Sequence, residues 1–189
     1  MNLVWPSLEY LPHYIAALER GWSPENARGP VPPEEEKARI GLDPEGFVLA
    51  QVDRDAKGAP ILLPDGSTAP RLPGYTRWMW DGDFSGTISL RWQQGGGESL
   101  PPYCLGHIGY MVVPWKRRRG YATRALGLML QEARTEGLRY VEITTRPDNV
   151  GSRRVIETNG GVFVEEFVKV AALGEGRLVR YRVSLAESG

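Results

Sequence analysis

The chain has 189 residues, 41% of them hydrophobic and 24% charged, which is ordinary globular composition and enough length to bury a core without metals or disulfides. Its 23 basic and 23 acidic side chains cancel, which argues against the broad positive field of a nucleic-acid binder, and one cysteine with two histidines rules out an internal disulfide and makes a poor metal site. No apolar run approaches the roughly 18 residues of a membrane span, and Met1 to Trp5 show no basic segment leading into an apolar one, so a soluble cytoplasmic protein is expected, as a monomer or homodimer.

Leu8, Leu11, Ile15 and Leu18 fall at near-helical spacing, with Gly21 to cap and Pro24 to block continuation. Pro32 and Pro33 before Glu34, Glu35 and Glu36 predict a second helix reaching Leu42, stopped by Asp43-Pro44. From residue 47 to residue 92 the pattern is strand and turn: Phe47 to Val52, Ile61 to Leu63, Tyr75 to Trp80 and Gly86 to Trp92, with hairpin turns at Asp65-Gly66 and Asp81-Gly82. The six tryptophans read as core rather than as stacking platforms for a ligand.

Gly95 to Gly97 read as a mobile loop before a strand from about Gly106 to Val113. After Pro114, Ala122, Ala125, Leu126, Met129, Leu130 and Ala133 line one face of the clearest helix, which Gly137 ends. Tyr140 to Thr145 reads as a strand, 147–149 as a turn, and Ser152 to Thr158 as a short helix closed by Asn159-Gly160-Gly161. Val162 to Val170 and Arg177 to Leu185 then read as a closing hairpin.

The stretch from Val113 to Ala122 joins a strand to the strong helix through Lys116, Arg117, Arg118, Arg119 and Gly120. Unpaired N–H groups and roughly half a positive charge face outward at a helix start, and a glycine there lets a phosphate oxygen approach the backbone. Four basic residues alone read equally as a solvated charge run or a nucleic-acid patch. The preceding strand, the glycine and the small Ala122 entering an apolar helix favour phosphate recognition instead.

Arg117, Gly120 and Ala122 match the cofactor motif of the GNAT (GCN5-related N-acetyltransferase) superfamily: Gln or Arg, two residues, Gly, any residue, then Gly or Ala. Gly106-His107-Ile108-Gly109-Tyr110 before it, and Asp148-Asn149-Val150-Gly151-Ser152 and Asn159-Gly160-Gly161 after it, extend the resemblance over residues 86–167. It is weak over the first 70.

The resemblance implies one mixed α/β (α+β) domain over residues 1–189. Its mostly antiparallel twisted sheet is flanked by helices, with a splayed parallel strand pair at the cofactor site. Residues 1–85 form the acceptor side, 86–167 the acyl-CoA-binding core and 168–189 the C-terminal strand region. Acetyl-CoA, or another acyl-CoA, is the implied co-substrate. The amides of Arg118, Arg119, Gly120, Tyr121, Ala122 and Thr123 would hold its diphosphate. Tyr110, Met111 and Val112 would pair with the pantetheine arm, and Asn149 and Ser152 would reach the same ligand. The last two read equally as a turn residue and a helix cap.

The implied activity is N-acyl transfer, most simply of an acetyl group, to a small-molecule or protein primary amine, with no metal, membrane or nucleic acid. A backbone N–H near Tyr110 to Val112 would polarise the thioester carbonyl. His107 is the candidate base, beside its reading as a hydrogen-bonded structural histidine, and Glu98 is a rival. Many family members place an acidic tyrosine about seven residues after the asparagine, where this chain has Ile156. Tyr110 and Tyr121 are the available phenols, and Cys104 reads as a packed free thiol. A non-catalytic CoA-binding sensor or scaffold is the alternative.

Overall fold

The computed structural model describes residues 1–26, 29–94 and 99–185; Gly95 to Gly97 and Glu98 lie outside the described residues. In chain order the first half contains β1 (Asn2–Val4), α1 (Leu11–Glu19), β2 (Glu25–Asn26), β3 (Gly29–Pro30), α2 (Pro33–Leu42), α3 (Pro44–Leu49), β4 (Val52–Asp53), β5 (Ile61–Leu62), β6 (Thr68–Ala69), β7 (Gly74–Trp80) and β8 (Phe84–Arg91). The second half contains β9 (Ile108–Val112), α4 (Tyr121–Thr135), β10 (Tyr140–Thr145), α5 (Val150–Thr158), β11 (Val162–Val168) and β12 (Arg177–Ser184). The chain is therefore mixed α/β, with antiparallel sheets flanked by helices.

Of residues 47–52, expected as a strand, the first three complete α3 and the next two form a turn. Pro44 sits in its first turn and the Asp43 carboxylate accepts the Gly46 N–H at 2.8 Å, so a capped helix start outweighs the apolar run that follows. Phe47 is then buried beside Tyr14, and only Val52–Asp53 remains as strand. The strand β1 carries no turn or alternation long enough to read in the sequence, and it exists by pairing with Trp78 to Trp80 of β7. The helix α4 ends as expected at Gly137, whose φ of +84° permits the Leu138 N–H to reach back to the Ala133 carbonyl at 3.2 Å.

A five-stranded sheet has the order β1-β7-β8-β9, with β4 also on β7, a three-stranded sheet has the order β10-β12-β11, and β2 pairs with β3 and β5 with β6; every ladder among the described residues is antiparallel. The sheets meet at the root of β9, where the His107 N–H donates to the Glu142 carbonyl at 2.7 Å and the Glu142 N–H donates to His107 Nδ1 at 2.9 Å. Beyond that contact β9 and β10 share no ladder, which leaves a wedge between them. Gly106 permits the close approach, since a β-carbon there would lie 3.0 Å from the Glu142 carbonyl oxygen.

The two faces of the first sheet bury different cores. On one side Met79, Ile88, Leu90 and Ile108 pack with Ala125, Leu126 and Met129 of α4 and Ile156 of α5. On the other, Trp78 and Phe84 pack under Tyr14 and Leu18 of α1 and Phe47 of α3, with Tyr14 stacked on Trp78 at 4.9 Å. Of the tryptophans, Trp22 and Trp78 are buried and Trp5 is exposed.

Candidate active site

Val113 is followed by a single 3-10 turn over Pro114–Lys116, an extended Arg117, and then two residues in the left-handed region, Arg118 at φ +60° and Gly120 at φ +75°. Gly120 is the N-cap of α4 and contributes no side-chain cap. Among the described residues the N–H groups of residues 118–123 make no well-formed hydrogen bond to the protein, and the first helical bond from this segment runs from the Arg124 N–H to the Gly120 carbonyl. A ring of free amides at a helix start, with three exposed guanidiniums on Arg117, Arg118 and Arg119, suits a diphosphate.

The fourth basic residue of the run does something else. Lys116 is only 8% exposed, and its Nζ donates to Asp81 Oδ1 at 2.6 Å and to Ser85 Oγ at 3.1 Å, with Asp83 Oδ2 at 3.5 Å. The other oxygen of Asp81 accepts the Tyr121 hydroxyl at 2.6 Å. Burial opposes ionisation of Asp81, but the bonds from Lys116 and Tyr121 outweigh it and bring its pKa down to about 2. Asp83 also accepts from His13 at 2.8 Å. The β7–β8 turn thus grips the turn that starts α4 on both sides of its arginines. The sequence marked Asp81-Gly82 only as a hairpin turn; a second aspartate beside it was the available clue.

Ladder geometry sorts the β9 backbone. The Val113 N–H bonds to the Ser85 carbonyl at 3.0 Å and the Arg91 N–H to the His107 carbonyl at 2.9 Å, so by antiparallel alternation Gly109 and Met111 direct their backbone groups to β8. Ile108, Tyr110 and Val112 direct theirs into the wedge. Of the three residues expected beside the arm, Tyr110 and Val112 therefore direct their backbone groups into the wedge, while the Met111 backbone is turned to Thr87. Arg117 Nε donates to the Val112 carbonyl at 3.2 Å, tying the turn before α4 to this edge.

Across the wedge, Asn149 caps α5 by accepting the Ser152 N–H at 3.1 Å, and Ser152 Oγ lies 2.8 Å from the Tyr110 hydroxyl. Burial raises the Tyr110 pKa and the Ser152 bond only partly offsets this, so the phenol stays protonated at neutral pH. Asn159 Nδ2 donates to the Thr123 carbonyl at 3.1 Å and so holds the start of α4 against α5.

His107 is 0% exposed at the root of the wedge, its Nδ1 occupied by the Glu142 N–H. Ile156 is likewise 0% exposed, in the core beneath α5. The Cys104 thiol lies 3.6 Å from the Gly106 carbonyl as a partly buried free cysteine. Among the described residues no group of three His, Cys, Asp or Glu could hold a metal ion, and no helix is long and apolar enough to cross a membrane.

An antiparallel sheet interrupted at a wedge, with a glycine-started helix beside it, makes a mixed α/β fold with one open strand edge. The acetyltransferase (GNAT) domain family matches residues 22–162, and the chain belongs to that family. Solved structures share the fold at low identity. A GNAT-family acetyltransferase from Bacillus anthracis superposes with a TM-score of 0.60 at 14% identity, covering 97% of this chain and 93% of that one. A chimera of the spermidine N-acetyltransferase SpeG from Vibrio cholerae and hSSAT gives 0.59 at 10% identity, covering 97% and 95%. The microcin self-immunity acetyltransferase MccE, in complex with acetyl-CoA and AMP, gives 0.58 at 13% identity, covering 96% and 91%. No curated protein matches the sequence significantly.

Proposed function

We propose that this chain transfers an acyl group, most simply acetyl, from acyl-CoA to a primary amine. The observation that carries the reading is the run of unpaired amides from residue 118 to residue 123, placed beside the free edge of β9. The diphosphate sits on those amides, the pantetheine arm follows the wedge, and the thioester lies near Tyr110. The acetyl-CoA complex of the structural neighbour MccE is consistent with such a site on this fold.

The chemistry is direct attack: the neutral amine nitrogen bonds to the thioester carbon, the C–S bond breaks, and the proton that the nitrogen sheds passes to solvent or to the departing thiolate. A wedge-facing N–H, that of Tyr110 or Val112, lies where the developing oxyanion needs a donor. A lysine-like amine of pKa about 10.4 is neutral at pH 7 only at a cost of roughly 4 to 5 kcal/mol, so desolvation or a base must offset it. We assign His107 to holding the two sheets together, since its Nδ1 already accepts a backbone N–H and no solvent reaches the ring. The leaving thiolate, with a pKa near 8.5, departs without the acid that Ile156 does not supply.

Calorimetric titration with acetyl-CoA, followed by an amine screen reading free thiol, tests the proposal. Micromolar binding with thiol release that requires an amine is the expected result. Binding without transfer to any amine would make the chain a CoA-binding module, and absence of binding would overturn the reading.

A further inference from the structure

A cavity of about 160 Å³ lies between α1, α2 and the face of β7 and β8 that is turned away from α4. Elsewhere on this face the strands carry buried Trp78 and Phe84, as a helix-covered sheet should. At the cavity they carry hydroxyls instead. Thr76, Thr87 and Ser89 line it, with Thr76 Oγ1 2.9 Å from Ser89 Oγ. Hydroxyls under a helical layer leave the space polar and unfilled.

The opposite wall holds a buried acid. Glu36 is 5% exposed, accepts the Tyr14 hydroxyl at 2.9 Å and pairs with Arg39 at 3.3 Å. Arg39 is largely solvent-exposed, so it screens the carboxylate weakly. In the ladder Thr87 stands opposite Met111 and Ser89 opposite Gly109, which sets the cavity one strand spacing, roughly 5 Å, from the strand whose free edge enters the wedge.

The geometry points to this cavity as the acceptor site and to a small hydroxylated primary amine as its occupant, an inference that rests on the acyl-transfer reading above. One buried carboxylate receives one ammonium. The hydroxyls of the floor pair with hydroxyls of the acceptor, and a site built to hydrogen-bond a hydroxyl discriminates strongly against the analogue lacking it. The volume equals the share of about five waters at roughly 30 Å³ each, enough for the end of a small molecule.

The test compares, with acetyl-CoA and a free-thiol readout, amino alcohols and amino sugars against alkyl amines of equal length, spermidine, and a peptide with a free N-terminal amine. The hydroxylated amines should show at least tenfold higher kcat/KM. Ser89→Ala and Thr87→Val should each reduce that preference toward unity, and Glu36→Gln should raise the amine KM about tenfold, all with the acetyl-CoA dissociation constant unchanged. Thermal unfolding checks that each variant is folded, and the Ser89→Ala result stands if Glu36→Gln does not fold. Preference for spermidine, the alkyl amine or the peptide, or variants that leave the hydroxylated amine's KM unmoved, would overturn the inference while acetyl-CoA binding persists. Loss of acetyl-CoA binding in the unmodified protein would instead sink the acyl-transfer reading.

Discussion

Asp81 Oδ1 receives Lys116 Nζ at 2.6 Å, so one lysine of a four-residue basic run is spent inside the protein while its three arginine neighbours stay exposed. With its second oxygen on Tyr121, Asp81 spans the segment that presents the free amides.

Asp81→Ala should cost about 2 kcal/mol of stability, because it deletes two bonds to a carboxylate and leaves a nearly buried ammonium with weaker partners. Acetyl-CoA affinity should fall about tenfold. The KM for acetyl-pantetheine, which lacks the diphosphate, should stay within twofold, a split that general unfolding would not produce. Because the folded pKa is lowered to about 2 from an ordinary value near 3.9, the contribution is complete above pH 4 and fades as pH falls toward 2. Denaturant midpoints of both proteins at pH 7 and pH 2.5 should therefore converge on acidification.

Gly120→Val should abolish measurable acetyl-CoA binding. A β-branched residue at φ +75° costs about 1 to 3 kcal/mol, and the helix start relieves that strain by abandoning the conformation that aims its amides outward. Arg118 is already a non-glycine residue at φ +60°, so Arg118→Gly should raise the melting temperature by an amount equivalent to about 1 kcal/mol. The same change should weaken acetyl-CoA binding through the lost guanidinium, and calorimetry with thermal unfolding reads both effects.

His107→Ala should destabilise by about 3 kcal/mol, since it opens a cavity and strands the Glu142 N–H. In His107→Gln, whose amide oxygen can accept that N–H, the pH profile of kcat/KM should keep its inflections. Disappearance of an inflection near neutrality would return the catalytic base to this residue.

Tyr110→Phe should lower stability by about 1 kcal/mol through loss of the Ser152 bond and reduce kcat less than tenfold. In the unmodified enzyme no alkaline limb below pH 10 should belong to this phenol, because burial raises its pKa. A hundredfold fall in kcat would make Tyr110 the acid for the leaving thiolate.

Local chemistry was enough to read the elements whose signals are short-range. The apolar stripe of α4, the Gly137 stop, the hairpin turns at Asp65-Gly66 and Asp81-Gly82, and the strand-turn-helix around Arg117, Gly120 and Ala122 all depend on residues close in the chain. Asp43 with Pro44 was read only as a stop, although the same pair also starts α3, because a cap serves the following helix as readily as it ends the preceding one.

The sequence by itself was enough to place the chain in its family, through the resemblance carried by Arg117, Gly120 and Ala122, and to mark the strand-turn-helix that holds them, since dihedral preference, helix ends and short spacings act within a few residues. Only the tertiary structure decided that Lys116 belongs to Asp81, that Tyr110 and Val112 rather than Met111 face the wedge, that His107 lies sealed at its root, and that Glu36 meets Thr87 and Ser89 across a cavity. Each of these joins residues far apart in the chain, and ladder register, sheet splay and side-chain pairing at that range follow from how the whole core packs.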